Sequence, residues 1–144
     1  SINISGIIDR IDLKNNTYRI IDYKTGGDSK KIKGLDNLFS SEKKDRNDAV
    51  FQLLFYSLLL RHKLEDDNPI FPGLMNIREI NNKNFTINIS IGNDKVDRVN
   101  DYLNEFEKLL SEKLNEIFDI NQPFIETEDK DNCKFCAYKN LCGN

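Results

Sequence analysis

The chain has 144 residues and a mass of 16.8 kDa, the size of one core, since single cores span about 100 to 200 residues. Hydrophobic residues make up 38% and charged residues 31%, the net charge is -3 and the pI is near 5.2; this excludes a generally basic nucleic-acid coat and confines any nucleic-acid contact to a local patch. No run approaches the ~18 apolar residues of a membrane span, and no apolar leader opens the chain, so it reads as a soluble, cytoplasmic protein without a membrane partner.

Position 1 is Ser rather than Met, and the apolar pattern starts at once with Ile2 and Ile4, which points to a piece of a longer chain. Ile2 to Leu13 and Tyr18 to Lys24 read as a β-hairpin. Asn15 and Asn16, both tolerant of positive φ, form its two-residue turn. That register opposes Leu13 with Tyr18, Asp12 with Arg19, Ile11 with Ile20, and Asp9 with Asp22. From Thr25 to Asp45 few apolar residues and several lysines predict a long surface loop. Residues 24–48 hold seven bases against five acids, a local excess of positive charge in an acidic chain. Asn47 to about Lys63 is predicted as a helix, apolar nearly all round and hence buried between layers. Phe71 to Glu79 and Phe85 to Ile91 are predicted strands. Lys95 to about Phe118 is a long amphipathic helix, with apolar residues at three- and four-residue steps, expected to pack on the sheet. An acidic linker over 119–132 and a cysteine segment close the chain. The whole is expected to form a single domain over 1–144, its core in 1–118 and the linker and cysteine segment in 119–144.

One pair in that hairpin is out of place. Asp9 opposite Asp22 sets two carboxylates about 5 Å apart on an otherwise apolar face, where they repel. Something positive is expected between them. A divalent cation suits two carboxylates, the backbone carbonyl of Tyr23 and waters; Lys24 is the second candidate, since period-2 alternation puts it on the face of Asp22. Arg10 points to the other face and reads as structural, and Asp12 with Arg19 as a solvated ion pair.

The order Gly6-x-x-Asp9, Asp22-x-Lys24, Gln52-x-x-x-Tyr56 resembles the core of the PD-(D/E)xK nuclease superfamily, specifically the RecB/AddB-type nuclease domain. A D-x-K tripeptide alone is weak evidence, and Gln52 and Tyr56 alone would read more simply as a core amide and a core aromatic; strand, strand and helix in this order carry the resemblance. It implies an α/β, restriction-endonuclease-like mixed sheet flanked by helices. It also implies that Asp9 and Asp22 hold Mg²⁺ (or Mn²⁺), which neutralises phosphate charge and acidifies a bound water. Lys24 would orient that water and oppose developing negative charge, and Gln52 and Tyr56, four apart on one helix face, would reach a phosphate or Lys24.

The end of the chain reads Cys133-x-x-Cys136, then Cys142. Three cysteines at this spacing could ligate zinc or iron-sulfur, and spacing alone favours zinc. The resemblance implies instead a [4Fe-4S] cluster in the full-length protein, tethering both ends of the domain, with a fourth cysteine before the nuclease core. A further metal ligand, often His, also precedes that core in the family. Neither has a counterpart here; His62 lies downstream and reads as an ordinary helix-terminal residue. These residues alone are therefore expected to assemble no cluster, bind metal weakly and cleave poorly or not at all.

The functional expectation is a metal-dependent deoxyribonuclease, the exonuclease domain of a helicase-nuclease that processes double-strand breaks, with DNA and an ATP-dependent helicase subunit or domain as partners. The rivals are an inert DNA-end-binding module, a structural zinc-binding domain, and a standalone CRISPR-associated nuclease, which more often has Glu at the position of Asp22.

Overall fold

The computed structural model describes residues 3–65, 67–123 and 125–142. Asn15 and Asn16 take φ of 51° and 60°, the pair of left-handed residues that a two-residue hairpin turn of this twist requires. The turn joins β1 (Arg10–Lys14) to β2 (Thr17–Lys24). Their antiparallel ladder pairs Leu13 with Tyr18, Asp12 with Arg19 and Ile11 with Ile20, as the sequence predicts. It stops at Arg10 opposite Ile21, so Asp9 lies one residue beyond β1 and does not face Asp22 across the ladder. At that point the Asp9 side chain takes the Tyr23 amide. The expected strand from Ile2 is thus shorter, and Ile2 itself lies outside the described residues.

Helix α1 (Asp48–Arg61) starts where Asn47 accepts the Val50 amide through its side chain, a standard N-cap. It leads to β4 (Ile70–Asn76), which pairs parallel to β2 with Asp22 opposite Leu74 and Lys24 opposite Asn76. The first sheet therefore runs β1-β2-β4, and α1 lies between it and the second long helix, α2 (Asn100–Phe118). Ile20, Val50, Leu53, Leu54, Ile70 and Leu74 meet there with no solvent exposure. This is the predicted mixed α/β architecture with a buried central helix.

Three expectations are corrected. The segment expected as a surface loop contributes Ile32, Leu35 and Leu38, each 4% exposed, to the core. It contains the short strand β3 (Lys31–Ile32) and two single 3-10 turns; its three-residue apolar spacing was diluted by lysines and glycines. Second, the strand expected over 85–91 shrinks to one bridge, Asn88 to Gly73, and to β5 (Ser90–Ile91). The Leu74 amide reaches the Ile87 carbonyl at 2.7 Å, but Pro72, two residues earlier on the same edge, has no amide to give. Thr86 and Asn88 also bond each other's polar groups instead of a ladder. β5 pairs parallel with β3 and antiparallel with β6 (Asp94–Lys95) through a turn at Gly92, whose φ is 63°, so α2 begins at Asn100 rather than Lys95. Third, α2 packs on α1 and on the 36–39 turn rather than on the sheet: buried Phe106 lies 5.6 Å from the Phe39 ring and 5.4 Å from that of Phe51.

The acidic linker docks against the lysine-rich segment. Asp129 accepts the Lys43 amide at 2.8 Å, Arg46 donates to Asn132, and Asn132 donates to the Ser41 carbonyl. No helix among the described residues is long and apolar enough to cross a membrane.

Candidate active site

Strand β2 alternates its side chains, so Ile20, Asp22 and Lys24 share the face that α1 covers. At the C-terminal end of the strand that cover becomes polar, because Gln52 and Tyr56 sit one helical turn apart on α1. Lys24 Nζ lies 2.9 Å from Asp22 Oδ2 and donates to Gln52 Oε1 at 2.7 Å, and Gln52 Nε2 donates to the Tyr56 hydroxyl at 2.8 Å. Two residue pairs far apart in sequence, Asp22 with Lys24 and Gln52 with Tyr56, thereby form one continuous polar chain. Each member fixes the next: Tyr56 orients the Gln52 amide, and the Gln52 carbonyl orients the ammonium.

Asp22 is 2% exposed. Its Oδ2 is buried, with the Lys24 ammonium 2.9 Å away as its one charge partner among the described residues. Burial pushes the Asp22 carboxyl above the usual carboxylate range; Lys24 pulls it back, and the charges of Asp9 and Asp28 push it further up. A buried carboxylate with a single ammonium partner and two other carboxylates in range is one that a hard cation stabilises.

Asp9 is exposed, and its Oδ2 accepts the Tyr23 amide at 3.0 Å. The contact ties Asp9 to the backbone between Asp22 and Lys24, but through the Tyr23 amide rather than its carbonyl. Among the described residues no three of His, Cys, Asp and Glu gather closely enough to hold a metal ion by themselves. Mg²⁺ commonly takes only one or two carboxylates and keeps several waters, so Asp9 and Asp22 are donors of the type that ion takes. Arg10 bonds Asp12 and the Tyr23 hydroxyl, and Asp12 also takes Arg19, which leaves Arg10 outside the polar chain.

Gly6 explains its own place in the motif. A Cβ there would stand 2.5 Å from Tyr56 Cε1, closer than atoms can approach, so the segment before Asp9 packs on the tyrosine ring only as glycine. Three further residues next to this site carry no motif. Asn76, 1% exposed and opposite Lys24, donates to the Asp28 carbonyl at 2.9 Å, and Asn47 donates to the Ser29 carbonyl at 2.8 Å. A polar residue ending a strand of otherwise buried apolar positions was the available signal for Asn76; for Asn47 and Asp28 there was none.

The cysteines are apart from this constellation. Cys133, Cys136 and Cys142 are free thiols, the last two exposed. Cys136 Sγ accepts the Tyr138 amide at 3.4 Å, and the three do not form a metal-holding group among the described residues. His62 caps the end of α1, with Nε2 2.9 Å from Glu107 Oε1, as an ordinary helix-terminal residue would.

An acid pair, a lysine and an amide-phenol relay at one strand end can bind a hydrated divalent cation, orient a water and oppose negative charge on a phosphoryl group. No match was found among curated proteins or among solved structures. A family model of the PD-(D/E)XK nucleases matches residues 1–143, nearly the full length and all the residues just described, and the chain belongs to the PD-(D/E)XK nuclease superfamily.

Proposed function

We propose that the chain is the nuclease domain of a RecB/AddB-like helicase-nuclease, a Mg²⁺- or Mn²⁺-dependent DNA exonuclease acting at double-strand breaks with an ATP-dependent helicase partner. The observation that carries the catalytic reading is the polar chain Asp22, Lys24, Gln52, Tyr56. Asp9, Asp22 and the Tyr23 carbonyl are the residues that would hold the cation, which when bound supplies a water of lowered pKa and neutralises phosphate charge. Lys24, held by Gln52, presents its remaining protons to that water or to the scissile phosphate. Tyr56 and Gln52 keep the ammonium from collapsing fully onto Asp22, whose carboxylate must stay available. The exposed Lys31 and Lys33, close behind in the chain, offer a local basic track for a DNA backbone in an otherwise acidic protein.

Calorimetric titration with Mn²⁺ tests the reading. Binding that is lost in Asp22→Ala, with metal-dependent cleavage of a DNA end that is lost in Lys24→Ala, supports it. DNA binding that is indifferent to metal and to Asp22→Ala supports the end-binding module instead. The motif order and the Cys133, Cys136 and Cys142 triplet also support an iron-sulfur cluster in the longer protein, completed by a cysteine outside these residues. Metal analysis and visible absorbance after anaerobic purification decide between iron and zinc.

A further inference from the structure

Two side-chain oxygens among the described residues are buried with no hydrogen-bond partner, Asp22 Oδ2 and Asn76 Oδ1. They are not scattered. Asn76 stands opposite Lys24 in the parallel β2-β4 pairing and Asp22 stands opposite Leu74. The two buried acceptors therefore share one sheet face on adjacent strands, one diagonal step apart. Buried acceptors in folded proteins are almost always satisfied; Asp22 Oδ2 has the Lys24 ammonium 2.9 Å away, whereas Asn76 Oδ1 has no such partner.

The same Asn76 amide has a second task. Its Nδ2 donates to the Asp28 carbonyl, which pins the turn that follows Lys24. Within that turn the Asp28 carboxylate folds back toward the strand end: its Oδ2 lies 3.2 Å from where a Cβ on Gly26 would stand. Its charge is felt at Asp22. A third carboxylate and an unsatisfied amide oxygen thus border the Asp9-Asp22 pair, in a region where direct ligation by three acids is not seen. What fits such a border is the water shell of a hard cation, because Mg²⁺ keeps several of its waters and each offers protons to nearby acceptors.

Resting on the nuclease reading above, we propose that Asp28 and Asn76 form the outer shell of the cation site, with the Asp28 carboxylate and Asn76 Oδ1 accepting hydrogen bonds from waters on a divalent cation carried by Asp22. Asn76 acts twice, as an acceptor and as the anchor that positions Asp28. Partners of this outer kind are worth about 10- to 100-fold in metal affinity.

The test is Mn²⁺ titration calorimetry on the chain and on Asp28→Asn, Asn76→Leu and Asp22→Asn, with thermal unfolding of each in the absence of metal. Asp28 is exposed, so Asp28→Asn should unfold at the temperature of the parent while binding Mn²⁺ about tenfold more weakly. Asn76→Leu, similar in size, should weaken binding at least as much; if it does not fold, Asp28→Asn decides alone. Parent-like Mn²⁺ affinity in Asp28→Asn overturns the proposal while leaving the nuclease reading standing, provided Asp22→Asn abolishes binding. Unchanged binding in Asp22→Asn, or none in the parent, overturns both.

Discussion

Replacing Lys24 with Met keeps the length of the side chain and removes the cation that faces Asp22. The Asp22 side chain is 3% exposed and that of Lys24 26%. Removing one partner of a fully buried pair costs about 3 to 5 kcal/mol because the remaining charge is stranded. Lys24 is partly wet, which screens part of the pair, and the expectation is about 2 kcal/mol, or about 4 to 8 °C in the unfolding midpoint of a chain this size. The pH dependence fixes the mechanism. Burial holds the Asp22 carboxyl above its ordinary value, so the folded chain binds that proton more tightly than the unfolded one. Its contribution to stability is greatest below the unfolded pKa and is lost as pH rises through the folded pKa. Without Lys24 the carboxyl rises further and the loss deepens, so the penalty of Lys24→Met should be larger near about pH 7 than near about pH 4. Thermal unfolding followed by circular dichroism across that range measures it, and Asp22→Asn in the same chain should relieve most of the neutral-pH penalty. A penalty that is independent of pH and not relieved by Asp22→Asn would show that Lys24 matters through its packing, and the charge argument would be wrong.

Two shorter tests probe the frame of the site. Gly6→Ala sets a methyl group against the Tyr56 ring; we expect cleavage to fall at least about tenfold as the Gln52 to Tyr56 hydrogen bond is displaced, with a stability loss within about 1 to 3 kcal/mol, read by single-turnover assay and urea unfolding. Asn15→Gly should be neutral within about 0.5 kcal/mol, whereas Asn15→Val, forced to a φ of 51°, should cost about 1 to 2 kcal/mol by urea unfolding.

The hairpin was legible because one feature, two adjacent asparagines, fixed turn type and register together, and register then fixed which side chains share a face. Gln52 and Tyr56 were legible as a pair because four-residue spacing on a helix is independent of tertiary context. Their joining to Lys24 was not, since the reach from α1 to β2 depends on how the helix crosses the sheet. The strand at 85–91 failed for a similar reason: its apolar alternation is real, but Pro72, on another element, withholds the donor that a longer ladder needs. Leu35 and Leu38 were hidden by composition, because lysines crowd the segment that carries them. The anomaly of facing carboxylates was resolved partly by geometry the pattern could not show, with Asp9 leaving the ladder to take the Tyr23 amide.

Asn47 ties helix and loop together. Its Oδ1 accepts the Val50 amide at 3.1 Å and caps α1, while its Nδ2 donates to the Ser29 carbonyl at 2.8 Å. The helix that carries Gln52 and Tyr56 is thereby tied to the turn that carries Asp28. Serine caps a helix about as well as asparagine but is too short to keep the second bond. Asn47→Ser should therefore preserve the helix and lose one partly exposed hydrogen bond, about 0.5 to 1.5 kcal/mol. If the tie positions the site, Mn²⁺ affinity should fall together with protection of the Lys31 and Ser90 amides, which donate to Ser29 Oγ and to the Lys30 carbonyl, while protection along α1 stays as it was. Hydrogen exchange read beside calorimetry separates these terms. Loss of protection at the start of α1 would reveal a damaged cap, and unchanged affinity with a loosened turn would show that the turn can move without disturbing the carboxylates it borders.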